Sequence, residues 1–158
     1  MKASTISTLK KELAALPGSD VIAICMRLIK YKKENKELLS YLLFDANNEL
    51  EYIRNIKEEI DQQFSEINHS QLYFAKKSIR KILKTTNKYI RYSGHKQTEV
   101  ELLIHFCSKF KKSGIPIKSS NSLSNLYLNQ VRKIHTAISA LHEDLQHDYH
   151  EEIAKLNL

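Results

Sequence analysis

A basic segment without competing carboxylates is the part of this chain best suited to chemistry. Between Glu66 and Glu99 the sequence has no acidic residue and eight Lys or Arg residues. The segment therefore carries +8, whereas the whole chain carries +7 with neutral His, so the remainder sums to −1. Phosphate groups bind where Lys and Arg share one accessible surface. The candidate anion-binding or nucleic-acid-binding residues are Tyr73, Lys76, Lys77, Arg80, Lys81, Lys84, Lys88 and Arg91.

The seven cations share one face if residues 70–92 form a helix. At 100° per residue they span about 140°, and a set of apolar residues lies opposite. Tyr73 lies within this cationic stripe, where its ring could stack on an exposed base. Three other interpretations remain open: the stripe is the solvated outer face of an amphipathic helix, the acidic residues between Glu143 and Glu152 neutralise it, or it lies on a membrane surface. The opposite set comprises Leu72, Ala75, Ile79, Ile82, Leu83 and Ile90.

A second group of reactive side chains lies near the C-terminal end. Glu143, His147, His150 and Glu151 fall on one helical face, as metal ligands in a helical bundle do. A complete metal site would need further Glu and His ligands on facing helices. Glu101 and His105 are one possible pair of such ligands. A polar, solvent-facing stripe is the simpler interpretation, so we expect no metal and no cofactor.

The sequence offers no catalytic pattern. Three glycines form no phosphate-binding loop, and no Gly-x-Ser-x-Gly elbow is present. Cys25 and Cys107 lie in apolar helical patterns and are predicted to be buried core thiols rather than nucleophiles. We therefore expect the protein not to be an enzyme.

The elements that position these residues are predicted to be helices. Three glycines and two prolines in 158 residues are too few for the turns that a strand-rich fold requires. We predict a single all-α domain over 1–158, with about seven helices paired as antiparallel hairpins in an α-α superhelix or bundle. A linker is predicted at 115–122. No run approaches the roughly 18 apolar residues of a membrane span, so a cytoplasmic protein without membrane contact is expected.

The segment 122–156 is predicted to form a long C-terminal helix. Its apolar residues have three-four spacing, close to a heptad seam, and define a candidate interaction helix. An unbroken helix of this length would measure about 50 Å, so it must break, project, or pair with another chain. The seam consists of Val131, Ile134, Ile138, Leu141 and Leu145.

The first 115 or so residues resemble a family of short, uncharacterised bacterial helical proteins. The resemblance rests on Leu9-Lys10-Lys11-Glu12-Leu13, on the run from Asn35 to Leu42, and on the later basic stretch Ser78-Ile79-Arg80-Lys81-Ile82. It implies an all-helical fold and a bacterial source. Because that family has no assigned activity, the resemblance implies no functional residue.

Two functions follow as hypotheses. The first is a non-enzymatic helical scaffold or adaptor that binds an unknown protein partner or self-associates, with the C-terminal helix as the contact. The alternative is a nucleic-acid-binding protein that uses the basic face of helix 70–92. The position of Glu143 to Glu152 relative to that face distinguishes them, because docked carboxylates would leave no free charge for phosphate.

Overall fold

The prediction of an all-α fold is confirmed. The structure, a computed structural model, describes residues 2–156 and the side chains of residues 2–154. Across the described residues the structure is 82% helical, with eight α-helices where about seven were predicted and with no strand. None of these helices is both long enough and apolar enough to cross a lipid bilayer. The chain divides into two compact units: unit one is residues 1–44, and unit two is residues 45–158.

Unit one consists of three helices, and a π-helical turn follows them at Tyr41–Asp45. The Thr5 hydroxyl caps the first helix by accepting the Thr8 amide at 3.2 Å, and Pro17 separates it from the second. The second and third helices pack against each other as a hairpin. The helices are α1 (Ile6–Ala15), α2 (Gly18–Tyr31) and α3 (Lys33–Ser40).

Unit two contains the remaining helices and a 3-10 turn, Ile117–Ser119. The Asn48 side chain caps α4 by accepting the Glu51 amide at 3.3 Å. Gly94, with φ of +71°, ends α5 in the left-handed conformation that glycine adopts without strain. The helices are α4 (Glu49–Ser65), α5 (Leu72–Ser93), α6 (Lys96–Lys112), α7 (Asn121–Ile138) and α8 (Glu143–Leu156).

The core of unit two is built around α6. This helix packs against α4, α5 and α7, and eight of its residues are buried. A helix with apolar residues on nearly every side is stable only when neighbours cover it from several directions. Aromatic rings extend the core on both sides of α6. The ring centroid of Phe106 lies 5.6 Å from that of Phe64 on α4 and 6.0 Å from that of Phe110. The ring centroid of Phe110 in turn lies 6.0 Å from that of Tyr127 on α7.

The prediction of one long helix over 122–156 is wrong, because the helix breaks between α7 and α8. The Leu141 amide donates to the Ile138 carbonyl at 2.9 Å, and the Gln146 side chain donates to the Leu141 carbonyl at 2.7 Å. The chain then runs back along α7, with the rings of His135 and His150 stacked 6.1 Å apart. The reversal buries Tyr149 and Ile153, which a straight helix would carry away from the core.

The segment 115–122, predicted as a linker, is an ordered connection inside unit two. Ile115 is buried, and the 3-10 turn packs on α7. The boundary between units lies instead at residues 44 and 45. The prediction of a single domain over 1–158 stays a prediction, because a division into compact units does not establish which parts fold independently.

Truncating Leu102 should expose how much unit two depends on α6. Leu102 is fully buried, so Leu102→Ala should lower the free energy of unfolding by about 2–5 kcal/mol through lost burial and the cavity left behind. Urea denaturation followed by circular dichroism measures this change. The matched control is Leu50→Ala, which removes an exposed leucine of α4 and should change stability by no more than about 0.5 kcal/mol. Equal losses for the two variants would contradict the central role of α6.

Candidate functional site

The cationic stripe lies on the outer side of α5, opposite a buried face. Ala75, Ile79, Ile82 and Ile90 are buried, while Leu72 and Leu83 of the predicted apolar face are half-buried. The ring of Tyr73 is 68% exposed and meets Phe74 edge-on at 5.5 Å between centroids. The stripe residues Lys77, Arg80, Lys81, Lys84 and Arg91 are exposed, and Lys76 and Lys88 are half-buried.

Six of the seven stripe cations form no ion pair with any described residue. The guanidinium of Arg80 donates to the Ser122 hydroxyl at 2.6 Å, which positions it without neutralising it. Lys88 differs from the others, since its ammonium lies 4.8 Å from the centre of the Tyr89 ring and 5.9 Å from that of Tyr92. The stripe therefore keeps most of its charge.

The acidic helix α8 contacts α6 and α7. Its buried Tyr149 donates to Glu101 of α6 at 2.8 Å, and His150 stacks on α7. Asp144 lies within ion-pair distance of His142, and Glu151 lies within ion-pair distance of His147. Both histidines follow α7 in the chain. None of these ion pairs of α8 involves a residue of α5.

A groove of about 710 Å³ opens beside the C-terminal end of α5. It is lined by α5, by the start of α6 and by Lys133 of α7. Glu99 is the acidic residue of this lining, and it already accepts the Lys96 ammonium at 2.7 Å. We call this surface the cationic groove; its basic lining residues are Lys84, Arg91, His95, Lys96 and Lys133. The sequence pointed to Lys84 and Arg91, whereas the other three lie on separate elements.

The apolar seam predicted as an interaction helix belongs to the core of unit two. Ile134 and Ile138 are fully buried, and Val131, Leu141 and Leu145 are half-buried. Val131, Ile134 and Ile138 lie on α7, which packs against α6, whereas Leu141 lies in the turn after α7 and Leu145 lies on α8. The role of these residues as an interaction helix stays a prediction, and the two buried isoleucines already contribute to the core of unit two.

Exposed apolar side chains are concentrated in unit one. Tyr41 is buried, but no residue of α1, α2 or α3 is. A groove of about 280 Å³ lies between α2 and α3, lined by residues that include Cys25, Leu28 and Leu39. The exposed large apolar residues of this unit are Ile6, Leu9, Leu13, Leu16, Ile22, Ile24, Met26, Leu28, Tyr31, Leu42, Leu43 and Phe44.

Polar side chains form a seam between α4 and α6. The Lys57 ammonium bonds to Glu101, the carboxylate that also accepts Tyr149. One turn further along, Asp61 lies 2.5 Å from His105 Nε2 and 2.7 Å from Lys109 Nζ. These pairs join residues 44 to 48 positions apart, and they were not predicted.

The seam shifts the pKa values of two of its members. Burial would raise the pKa of Asp61, but the hydrogen bonds and positive charge of Lys109 and His105 outweigh it and hold the pKa below its ordinary value. For His105, burial is the largest influence and lowers the pKa, although Asp61 acts in the opposite direction. The pKa of His105 therefore lies below its ordinary value, because burial disfavours the charged imidazole.

Further candidates for chemistry are Glu101, His105 and the two cysteines. Glu101 and His105, considered as metal ligands, are instead bound by Lys57 and Asp61. No group of three His, Cys, Asp or Glu residues placed to hold a metal occurs among the described residues. The prediction of a buried thiol is confirmed for Cys107, whose pKa is raised by burial to about 12, and it is wrong for Cys25, which is half-buried. The Cys107 thiol is therefore kept in a form that is a poor nucleophile.

Comparison of the chain with protein-family models, with curated proteins and with solved structures finds no match. The resemblance of the first 115 residues thus has no matching family model behind it. The function of the chain must therefore be inferred from its own surfaces.

Replacing His105 should make stability less sensitive to pH. A His whose pKa is lower in the folded state is protonated first in the unfolded state, so its contribution is present above a pH of about 6.5 and is lost as pH falls. His105→Gln should therefore lose less stability than the wild type between pH of about 7.5 and 5.5. Urea unfolding at the two pH values measures the difference.

His69→Gln provides the control, since His69 is exposed in the loop between α4 and α5. It should retain the pH dependence of the wild type. An equal fall in stability for the wild type and His105→Gln would show that His105 does not contribute to the acid sensitivity. The lowered pKa of Asp61 also makes the protein less stable as pH falls. That loss begins at lower pH, near the ordinary Asp pKa of 3.8.

Proposed function

We propose that this protein is a non-enzymatic helical scaffold that self-associates through unit one. The observation that supports the proposal is the exposure of most of the large apolar side chains of this unit. Twelve of them are exposed within 44 residues, whereas the described residues of unit two expose four. Isolated exposed hydrophobic residues are ordinary, but a concentration of this kind marks an interaction surface.

The composition of α2 gives the strongest support. Eight of its ten residues from Val21 to Lys30 are apolar, so apolar side chains point in every direction around the helix. A helix of that kind is normally enclosed. Here α3 covers one side of it, and Ile22 remains 65% exposed.

The exposed area is sufficient for a stable dimer. A large hydrophobic or aromatic side chain presents roughly 150–200 Å², so the exposed fractions in unit one correspond to more than about 1,000 Å². A stable interface buries roughly 800 Å² on each partner. The apolar surface therefore exceeds what one interface requires.

A second copy of the chain is the partner that this surface fits best. Assemblies of about 40 residues usually need oligomerisation, a metal or disulfides to become stable, and α1 to α3 bury none of their own side chains. Two α2 helices related by a two-fold axis would present the same apolar surface to each other. The cysteines are free thiols, so association rather than a disulfide would have to stabilise unit one.

The oligomeric state tests the proposal directly. Sedimentation velocity of the wild type should give a dimer with twice the chain mass of 18.4 kDa. The double variant Ile22→Asp, Leu28→Asp places charge on α2 and should weaken association by at least about tenfold, because burying an unpaired carboxylate costs well over 1.4 kcal/mol.

The control variant makes the same substitutions in unit two, at Leu50 and Leu128, which are also exposed. It should dimerise like the wild type. Circular dichroism of the α2 variant separates loss of association from loss of helix. A wild type that stays monomeric at the highest soluble concentration would sink the proposal, as would equal weakening by the control substitutions.

A further inference from the structure

We propose that unit two binds single-stranded nucleic acid, with the cationic groove holding its phosphate backbone. The inference is independent of self-association, because it concerns a different unit and a different surface. It starts from the position of Lys133. An amphipathic helix accounts for basic residues along the outer side of α5, but Lys133 belongs to α7 and lines the same groove as Lys84 and Arg91.

Three elements therefore bring positive charge to one concave surface. α5 contributes Lys84 and Arg91, the start of α6 contributes Lys96, and α7 contributes Lys133. Like charges placed together disfavour folding slightly unless a counter-charge binds. The acidic lining residue, Glu99, offsets one cation through its ion pair with Lys96.

The groove continues into the exposed part of the α5 stripe. From Lys77 to Arg91 the helix rises about 21 Å, and Arg80, Lys81 and Lys84 are exposed along that length. None of these cations pairs with a described carboxylate. A surface of this length can contact several consecutive phosphates of one strand. The sites of single-strand-binding proteins similarly cover about 4–16 nucleotides.

Exposed aromatic rings favour a single strand over a duplex. Tyr73 and Phe74 lie at the N-terminal end of α5, and both rings are exposed. Unpaired bases stack on such rings, whereas a duplex keeps its bases inside. Phosphate contacts combined with stacking identify the ligand as a single-stranded nucleic acid, and they leave the choice between RNA and DNA to contacts with the sugar.

The experiment is a fluorescence-anisotropy titration of labelled single-stranded RNA and DNA of mixed sequence, repeated over a range of salt concentrations. The wild type should bind at low salt, and log K should fall linearly with log salt. The double variant Lys84→Glu, Lys133→Glu should bind at least about tenfold more weakly, and its salt slope should be shallower by about 1.4, for two lost phosphate contacts. Tyr73→Ala should weaken binding without changing that slope.

Lys112→Glu combined with Lys118→Glu is the matched control. Both lysines are exposed in unit two outside the groove, and the net charge changes by the same amount. The control should bind within about threefold of the wild type, since its loss of charge acts only at long range. Binding of either RNA or DNA in this pattern supports the proposal.

Three results would overturn it. One is the absence of binding at low salt. Another is equal weakening by the groove and control variants, which would show a response to net charge alone. The third is that heparin displaces the bound oligonucleotide while Tyr73→Ala leaves its affinity unchanged. That result would mean that the surface binds any polyanion and does not contact bases. Sedimentation of the same variants keeps the two proposals apart, because groove substitutions leave unit one unchanged.

Discussion

The enclosure of α6 is the constraint on which the rest of unit two depends. A helix whose apolar residues point in most directions needs neighbours on several sides, and α4, α5 and α7 supply them. Each neighbour turns its apolar face inward, so its polar residues must face outward. The cationic stripe of α5 is exposed for this reason. The break after Ile138 follows from the same requirement, because α8 can bury Tyr149 only by turning back.

Unit one shows what happens when this requirement is not met within the chain. Its α2 helix is as apolar in composition as a central helix, yet α3 is the neighbour that packs along it. The physical difference between α2 and α6 is therefore the number of neighbours and not the type of residue. A chain that encloses one such helix and exposes the other has two kinds of surface, one charged and one apolar, on separate units.

Local patterns predicted the parts of the structure that depend on neighbouring residues. The buried face of α5 follows from the 3.6-residue period, and its end follows from Gly94, because both signals act within a few residues. The break near Ser139 carries no proline or glycine, so a continuous apolar spacing concealed it. Lys133 and the pairs between α4 and α6 were beyond prediction, since they depend on helices that meet only in the folded chain. The same holds for the exposure of unit one, since a period identifies an apolar face but not what covers it.

The polar seam between α4 and α6 adds a kind of selectivity that apolar packing lacks. Glu49 pairs with Thr98, Lys57 with Glu101, and Asp61 with His105, so the contacts ascend both helices together and the helices run parallel. Leucine and isoleucine accept many partners, and a slip of one turn, about 5.4 Å, would still bury most of them. The same slip would separate every polar pair and leave charged groups against apolar ones. The seam thus discriminates between alternative compact states, and it fixes the alignment along α4 of the helix α6, whose first turn lines the cationic groove.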